Sequence, residues 1–329
     1  MTFGAESDAE TARHILDHYH EAGGQFIDTA DVYSRGVAEE IVGSWLRSKR
    51  PERMVIATKG RFAMGPGPED SGAGAGHLRK AVDDSLRRLG MDAIDLYQLH
   101  AWDPGVRIEE TLETLDGLVS AGKIRFIGVS NYTGWQLERV VQVATREGWP
   151  PIVSVQPQYN LLARDIEFDL LPPCLEHGIG VLPWSPLGGG WLTGKYLADQ
   201  RPSGLTRLGE DQNRGVEAYD LRNTVRTWRV IDTVQSAADS RHVPMSQVAL
   251  NWLRRRPGVT SILLGCRTVE QLTENLAALS WSLDDDEMRS LTEASAPGIS
   301  AYPYGFLEHE AEVDIWKRLG TRVEPPLQS

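Results

Sequence analysis

Cysteine is nearly absent from this chain of 329 residues. Its two thiols, Cys174 and Cys266, are too few for a disulfide framework and too isolated for a structural zinc site. No apolar run approaches the roughly 18–20 residues that a membrane span requires. The first residues show no basic stretch followed by an apolar one, so no secretory signal is legible. Basic residues are outnumbered, 34 Lys and Arg against 46 Asp and Glu, and the net charge of −12 disfavours nucleic acid or an anionic membrane as a partner. The G-x-G-x-x-G turn of an open dinucleotide-binding sheet follows none of the strand-like segments. What is present, 41% apolar and 24% charged residues, is the composition of a soluble globular protein, and a reduced, cytoplasmic setting is the expectation.

Seven short segments have the near-continuous apolar character of strands buried on both faces. They are Gln25–Asp28, Met54–Lys59, Ile94–His100, Ile124–Ser130, Ile152–Gln156, Ile179–Ser185 and Ser261–Gly265. Segments of helical period separate them. The first is expected to begin at Ser7, with Glu10 completing a capping box, to bury Ala12, Ile15, Leu16 and Tyr19, and to stop at Gly23-Gly24. A second stripe, Ile108, Leu112, Leu115, Leu118 and Val119, ends at Gly122. Strand–helix alternation implies a parallel sheet with crossover helices. Of the two possible closures, an open doubly wound sheet lacks its glycine fingerprint here. The spread of polar residues over many strand ends favours an α/β TIM-type (β/α)8 barrel, one domain over residues 1–329. Long loops at about 60–76 and 194–223, and a tail at 297–329 with Tyr302, Tyr304, Phe306 and Trp316, punctuate it.

Asp28, Tyr33, Lys59 and His100 each sit where an apolar run ends in a polar, Gly-punctuated turn. Taken singly they read blandly, as a helix cap, a packed phenol, a solvated ammonium and a structural imidazole. Taken together, at the same end of parallel strands, they are complementary. Reducing a carbonyl needs a proton at oxygen, and a phenol with its ordinary pKa near 10 is a poor acid around neutrality. An ammonium beside it lowers that pKa, and a carboxylate holds the ammonium in place. Tyr33 is thus the expected proton donor, Lys59 its tuning cation, Asp28 the anchor of Lys59, and His100 a donor to the substrate oxygen.

The segments Phe-Ile-Asp-Thr-Ala-Asp-Val-Tyr, Ala-Thr-Lys and Tyr-Gln-Leu-His-Ala-Trp-Asp resemble those of the aldo-keto reductases. So do Ile-Gly-Val-Ser-Asn-Tyr at 127–132, Val-Gln-Pro-Gln-Tyr-Asn at 155–160, Pro-Trp-Ser-Pro-Leu-Gly at 183–188, Gly-Lys-Tyr at 194–196 and Gly-Cys-Arg-Thr-Val-Glu-Gln-Leu-Thr-Glu-Asn at 265–275. The branch it resembles most includes potassium-channel β subunits and many bacterial reductases. The resemblance implies a (β/α)8 barrel that uses NADPH on a small-molecule carbonyl substrate, with the four residues in the roles just derived. It further implies that Ser130, Asn131 and Gln156 bind the nicotinamide carboxamide and that Trp184 stacks on the nicotinamide ring. Ser185, Leu187, Gly189 and Lys195 would meet the pyrophosphate, and Gln271, Glu274 and Asn275 the adenosine end. Helix capping is the plainer reading of Ser130-Asn131, rim packing of Trp184, and a capping box with Thr268 of Gln271. Gly265-Cys266-Arg267 opens a helix at about Thr268, offering amide groups and a guanidinium to the 2′-phosphate, although Cys266 replaces the more usual Ser or Thr.

Family members generally begin with a β-hairpin and a strand ending in Gly-Thr, and Met-Thr-Phe-Gly resembles the stretch just after that pair. The hairpin and first barrel strand are therefore expected to be lacking, with lowered stability and self-association as expected consequences. Trp102, Phe62, Trp191, Tyr302 and Tyr304 are candidate pocket walls or ordinary packing residues. Three readings compete: an NADPH-dependent carbonyl reductase, a cofactor-binding regulatory subunit resembling channel β subunits, and an inactive fragment.

Overall fold

The computed structural model describes residues 1–67, 69–298 and 300–309, so Trp316 lies outside the described residues. They pack as two compact units of interleaved segments. The first comprises Met1–Pro157, Glu176–Leu182 and Leu263–Thr273; the second comprises Gln158–Leu175, Pro183–Ile262 and Glu274 onward.

The first unit is an α/β half-barrel. Its sheet contains β1 (Phe26–Asp28), β2 (Val55–Gly60), β3 (Ile94–Leu99), β4 (Ile124–Ser130), β5 (Ile152–Gln156) and β6 (Gly180–Val181), side by side in chain order with every pairing parallel. Helices α1 (Ala9–Glu21), α2 (Val37–Lys49), α3 (Ala75–Leu89), α4 (Ile108–Ser120) and α5 (Gly134–Glu147) alternate with the strands. Ala57, Leu96 and Leu182 form a core layer joined by Phe26, Val153 and Leu263. Sequential parallel order puts the carboxyl ends of all six strands on one edge, and the polar strand-end residues with them.

Six strands form among the described residues where seven are expected. Ser261–Gly265 takes no strand conformation. A strand exists only where a neighbouring backbone answers its amides and carbonyls, and β-propensity cannot supply that neighbour. Leu263 nevertheless packs in the core layer. The segment Ile179–Ser185 keeps a ladder only at Gly180–Val181, since Pro183 has no amide hydrogen to offer. Helix α1 starts one residue later than its sequence suggests. Asp8 caps it, accepting from the Thr11 amide at 2.8 Å, while the Ser7 hydroxyl donates to the Arg267 carbonyl at 3.1 Å. Ala12, Ile15 and Leu16 are buried as expected, and Tyr19 is half-buried.

The stretch 194–223 is not structureless. Short helical turns at Arg207–Glu210, Gly215–Glu217 and Tyr219–Arg222 interrupt it. It belongs to the second unit, whose longer helices are Val225–Arg241, Met245–Arg254 and Asp285–Ala294. A buried ionic network organises this unit. Arg164 reaches both oxygens of Glu167, at 2.8 and 2.9 Å, and its other nitrogen donates to the Thr292 carbonyl and Ser295 hydroxyl at 2.6 and 2.8 Å. Tyr159 donates to Glu167 at 2.6 Å and receives from Arg256 at 3.0 Å. Burial pushes the Glu167 carboxyl up, but Arg164 and Arg256 prevail and hold it below the usual carboxylate range. Removing the charge leaves two buried cations without their anion. Glu167→Gln is expected to lower unfolding free energy by about 3 kcal/mol in denaturant titration. A change too small to resolve would show the network to be ornamental.

No helix among the described residues is long and apolar enough to cross a membrane, and no cluster of His, Cys, Asp and Glu suited to a metal ion occurs among them. Cys174 and Cys266 are both buried, and neither forms a disulfide.

Candidate active site

Lys59 enters the site from β2 with no exposed surface. Its ammonium donates to Asp28 Oδ2 at 2.6 Å, to the Thr29 carbonyl at 2.7 Å and to the Tyr33 hydroxyl at 3.4 Å. Asp28 closes β1, and Tyr33 stands on the 3-10 turn Tyr33–Gly36 that follows it. His100 comes immediately after β3; its ring meets Tyr33 edge-on at 5.7 Å and Phe62 at 4.6 Å. The four groups singled out in the sequence therefore lie together at the carboxyl edge of the sheet.

Their electrostatics differ from the expectation in one respect. Burial raises the Tyr33 pKa, and the opposing pull of Lys59 does not cancel it, so the phenol lies above its ordinary value rather than below. Desolvation of the unpaired imidazole, reinforced by Lys59, pushes His100 down to about 3, which makes it neutral at ordinary pH. Burial works against the Lys59 charge as well, but Asp28 and Tyr33 outweigh it and the ammonium's pKa is raised.

Ser130 and Asn131 are not the cap of α5. Thr133 fills that role, with Gln136 closing a capping box. Ser130 instead donates to the Gln156 carbonyl at 2.8 Å, and Asn131, in the left-handed region at φ 56°, donates to the His100 carbonyl at 2.9 Å and to the Ser130 hydroxyl at 3.1 Å. Gln156 donates to Asp28 Oδ1 at 2.8 Å.

Two buried residues beside these were missed in the sequence. Gln98 on β3 donates to the same Asp28 oxygen at 3.0 Å. Strand alternation was the available signal, since Gln98 shares a face of β3 with Leu96 of the core layer. Asp31 lies between Asp28 and Tyr33 with no exposed surface, and neither carboxylate oxygen has a well-formed hydrogen bond. Burial, then the neighbouring Glu39 carboxylate, pushes its pKa up to about 7. Glu39 itself is occupied by the Thr58 hydroxyl and Arg88, both at 2.6 Å.

The turn at Arg267, expected from the sequence to meet a phosphate, is knitted together by its own side chains. The Arg267 amide donates to Gln271 Oε1 at 2.9 Å, the Gln271 amide to the Thr268 hydroxyl at 3.3 Å, and the Arg267 guanidinium pairs with Glu6 at 3.3 Å. Gln271 thus makes half of the capping box, with its side chain answering the amide of Arg267 in place of Thr268. Gly265 and buried Cys266 precede this turn, and the helix Val269–Leu276 follows it.

In the second unit, Trp184, Ser185 and Leu187 are half-buried and Lys195 is exposed. Gly188, Gly189 and Gly190 take φ of 58°, 64° and 101°, a run of left-handed backbone that side chains would strain. Glu217 receives the Ser185 hydroxyl at 3.1 Å and the Arg222 guanidinium at 2.9 Å. Glu274 receives the Ser246 hydroxyl at 2.5 Å, and Asn275 is buried. Trp191 is no pocket wall: fully buried, it packs among Tyr196, Tyr219 and Trp228. Tyr304 packs on Phe168, whereas Tyr302 is exposed. In the first unit, Trp102 is half-buried and packs edge-on against Tyr132 and Trp135.

A buried ammonium and imidazole meet a half-buried carboxylate and phenol at the carboxyl edge of a parallel sheet, an arrangement able to hold and move a proton. The chain belongs to the aldo/keto reductase family, whose pattern residues 1–296 match. Among its relatives is the uncharacterized oxidoreductase YrpG of Bacillus subtilis (strain 168), 33% identical over 304 residues and covering 89% of each chain. A probable voltage-gated potassium channel subunit beta of Arabidopsis thaliana is 34% identical over 282 residues, 85% of each chain. An aryl-alcohol dehydrogenase (NADP(+)) of Phanerodontia chrysosporium is 30% identical over 311 residues, 90% of this chain and 79% of the relative.

Proposed function

We propose that this protein is a cytoplasmic NADPH-dependent oxidoreductase that reduces the carbonyl of an aldehyde, ketone or sugar to an alcohol. The observation that carries the reading is the Lys59 ammonium standing 2.6 Å from Asp28 and 3.4 Å from the Tyr33 hydroxyl, with neutral His100 against the same phenol. The residues present suit a nicotinamide cofactor. Gln156 directs its amide nitrogen at Asp28 and at Gln98 Oε1, which leaves its own Oε1 as an acceptor for a carboxamide N–H. Arg267 supplies a planar cation beside the start of a helix, the combination suited to a 2′-phosphate. The assignments of Trp184, Ser185, Leu187, Gly189, Lys195, Glu274 and Asn275 to the cofactor rest on the family resemblance, as does closure of the sheet into a full barrel.

When bound, the nicotinamide supplies the hydride that reaches the carbonyl carbon. The chain's own residues manage the proton. Tyr33 transfers its phenolic proton to the carbonyl oxygen as charge develops there, and Lys59, held by Asp28, stabilises the phenolate left behind. A neutral His100 offers one N–H to the same oxygen and orients it. The reaction is tested by following cofactor absorbance with NADPH and a panel of aldehydes, ketones and sugars. Consumption that vanishes in Tyr33→Phe supports the assignment; tight binding without turnover points instead to a regulatory role, the kind of role that the channel-subunit relatives' names suggest. Truncating Arg267→Ala is expected to raise KM for NADPH by roughly 10-fold or more and to leave KM for NADH nearly unchanged, since only the phosphate loses a charge-assisted hydrogen bond. Equal effects on both would remove Arg267 from 2′-phosphate recognition.

A further inference from the structure

We infer that Gln98 is a positioning residue, a two-ended amide that locks the Asp28 carboxylate to Lys59 and fixes which end of the Gln156 amide faces the cofactor. This rests on the acid–base reading of the site given above. The hydrogen bonds form a closed set. Asp28 Oδ2 is engaged by Lys59 at 2.6 Å, and Asp28 Oδ1 receives Gln98 Nε2 at 3.0 Å and Gln156 Nε2 at 2.8 Å. The Gln156 nitrogen also donates to Gln98 Oε1 at 3.2 Å. A carboxylate paired with an ammonium only accepts, so both amide nitrogens must point at it. Gln98 is then used at both ends, donating to Asp28 and accepting from Gln156. Gln156 has placed its donors on these two partners, and only its carbonyl oxygen remains to receive a carboxamide N–H. Without Gln98, Asp28 keeps Lys59 and Gln156 but loses one of the two amides on Oδ1, and the Gln156 nitrogen loses one of its two acceptors.

The sheet is built to admit this side chain. Gln98 has no exposed surface and faces Gly128 across the β3–β4 ladder. A Cβ on Gly128 would lie 3.0 Å from Gln98 Cγ and 2.4 Å from Ser154 Oγ, so only glycine leaves the path open. Lys59 occupies the matching position on the other side, in register with Gln98 across β2 and β3. Four strands, β1, β2, β3 and β5, thus deliver the hydrogen-bonded set, and the missing side chain at Gly128 of β4 leaves room for it.

The test is a double-mutant cycle between Gln98→Met, close in length and volume, and Asp28→Asn, read in two ways. In turnover, Gln98→Met is expected to lower kcat by roughly 10- to 100-fold, the cost of a small misplacement at the reacting centre, while its effect in the Asp28→Asn background shrinks below about twofold. In the cofactor-free protein, the unfolding equilibrium constants of the two variants are expected to be non-additive by about fivefold. Additive effects in both readouts, or an unchanged kcat, overturn the inference. Gln98→Glu supplies a second route: at pH 8 two carboxylates oppose each other and turnover is weak, whereas near pH 5 the added carboxyl is protonated, donates to Asp28 and restores activity. A depressed but pH-independent rate also overturns it. If the unaltered protein shows no turnover on any carbonyl, the reductase reading falls, and the cofactor-free cycle still decides the role of Gln98.

Discussion

Replacing Tyr33 by Phe is expected to reduce kcat for carbonyl reduction by about 10³-fold, or about 4 kcal/mol of transition-state stabilisation. The substitution keeps the ring that packs edge-on against His100 at 5.7 Å and removes only the hydroxyl 3.4 Å from Lys59. KM and thermal stability should therefore change little. The pH profile carries the same information. His100, pushed down to about 3, has no proton to lose near neutrality, and burial keeps Tyr33 protonated above its ordinary range. Reduction should thus run at a nearly constant rate between about pH 6 and 9, with no limb where an ordinary histidine titrates. Oxidation of the alcohol needs the phenolate and should climb with pH over the same interval. A Tyr33→Phe variant with most of its activity, or a reduction rate that halves around pH 6.5, would remove the phenol or the neutral imidazole from the scheme.

The second large effect concerns stability. Asp31→Asn should stabilise the protein at pH 8 relative to pH 4 by on the order of 4 kcal/mol, since a shift of one pKa unit corresponds to 1.36 kcal/mol. The folded carboxyl titrates at about 7 against an ordinary 3.8. Its favourable contribution is complete below about pH 4 and is lost as pH rises through 7, because ionisation there places a second buried negative charge near Glu39. Asparagine has no such charge to bury. Denaturant titrations of both proteins at the two pH values measure the difference directly. Parallel pH dependence in the two would mean that Asp31 ionises without cost and that its surroundings relax around it.

How much of this was legible beforehand depends on whether the signal was local. Asp28, Lys59 and His100 each interrupt an apolar run at its end, and the break itself marks the position. Gln98 and Asp31 carry equal polarity but lie inside an apolar run or a polar turn, where one residue gives no contrast. That Tyr33 lies above its ordinary pKa was hidden for another reason: the ammonium is visible in the sequence, the desolvation around it is not. The strands β4 and β5 match their expected bounds, whereas Ser261–Gly265, with equally suitable residues, forms no ladder. Pairing is a property of two segments and propensity a property of one. Ser7 and Asp8 are both competent caps for α1, and the contest was settled by the Arg267 carbonyl, 260 positions away in sequence, which took the Ser7 hydroxyl.

Asp28, Lys59, Gln98 and Gln156 all stand on strands of one continuous ladder, so their spacing is set by backbone pairing and not by the connecting segments. The anchoring of Lys59 is thereby carried by the sheet, while Tyr33 and His100 stand on the segments that follow β1 and β3. Exchanging the segments that follow the strands ought to leave the Asp28, Lys59, Gln98 and Gln156 set in place, whereas a new residue at Phe62 would be felt by the His100 ring.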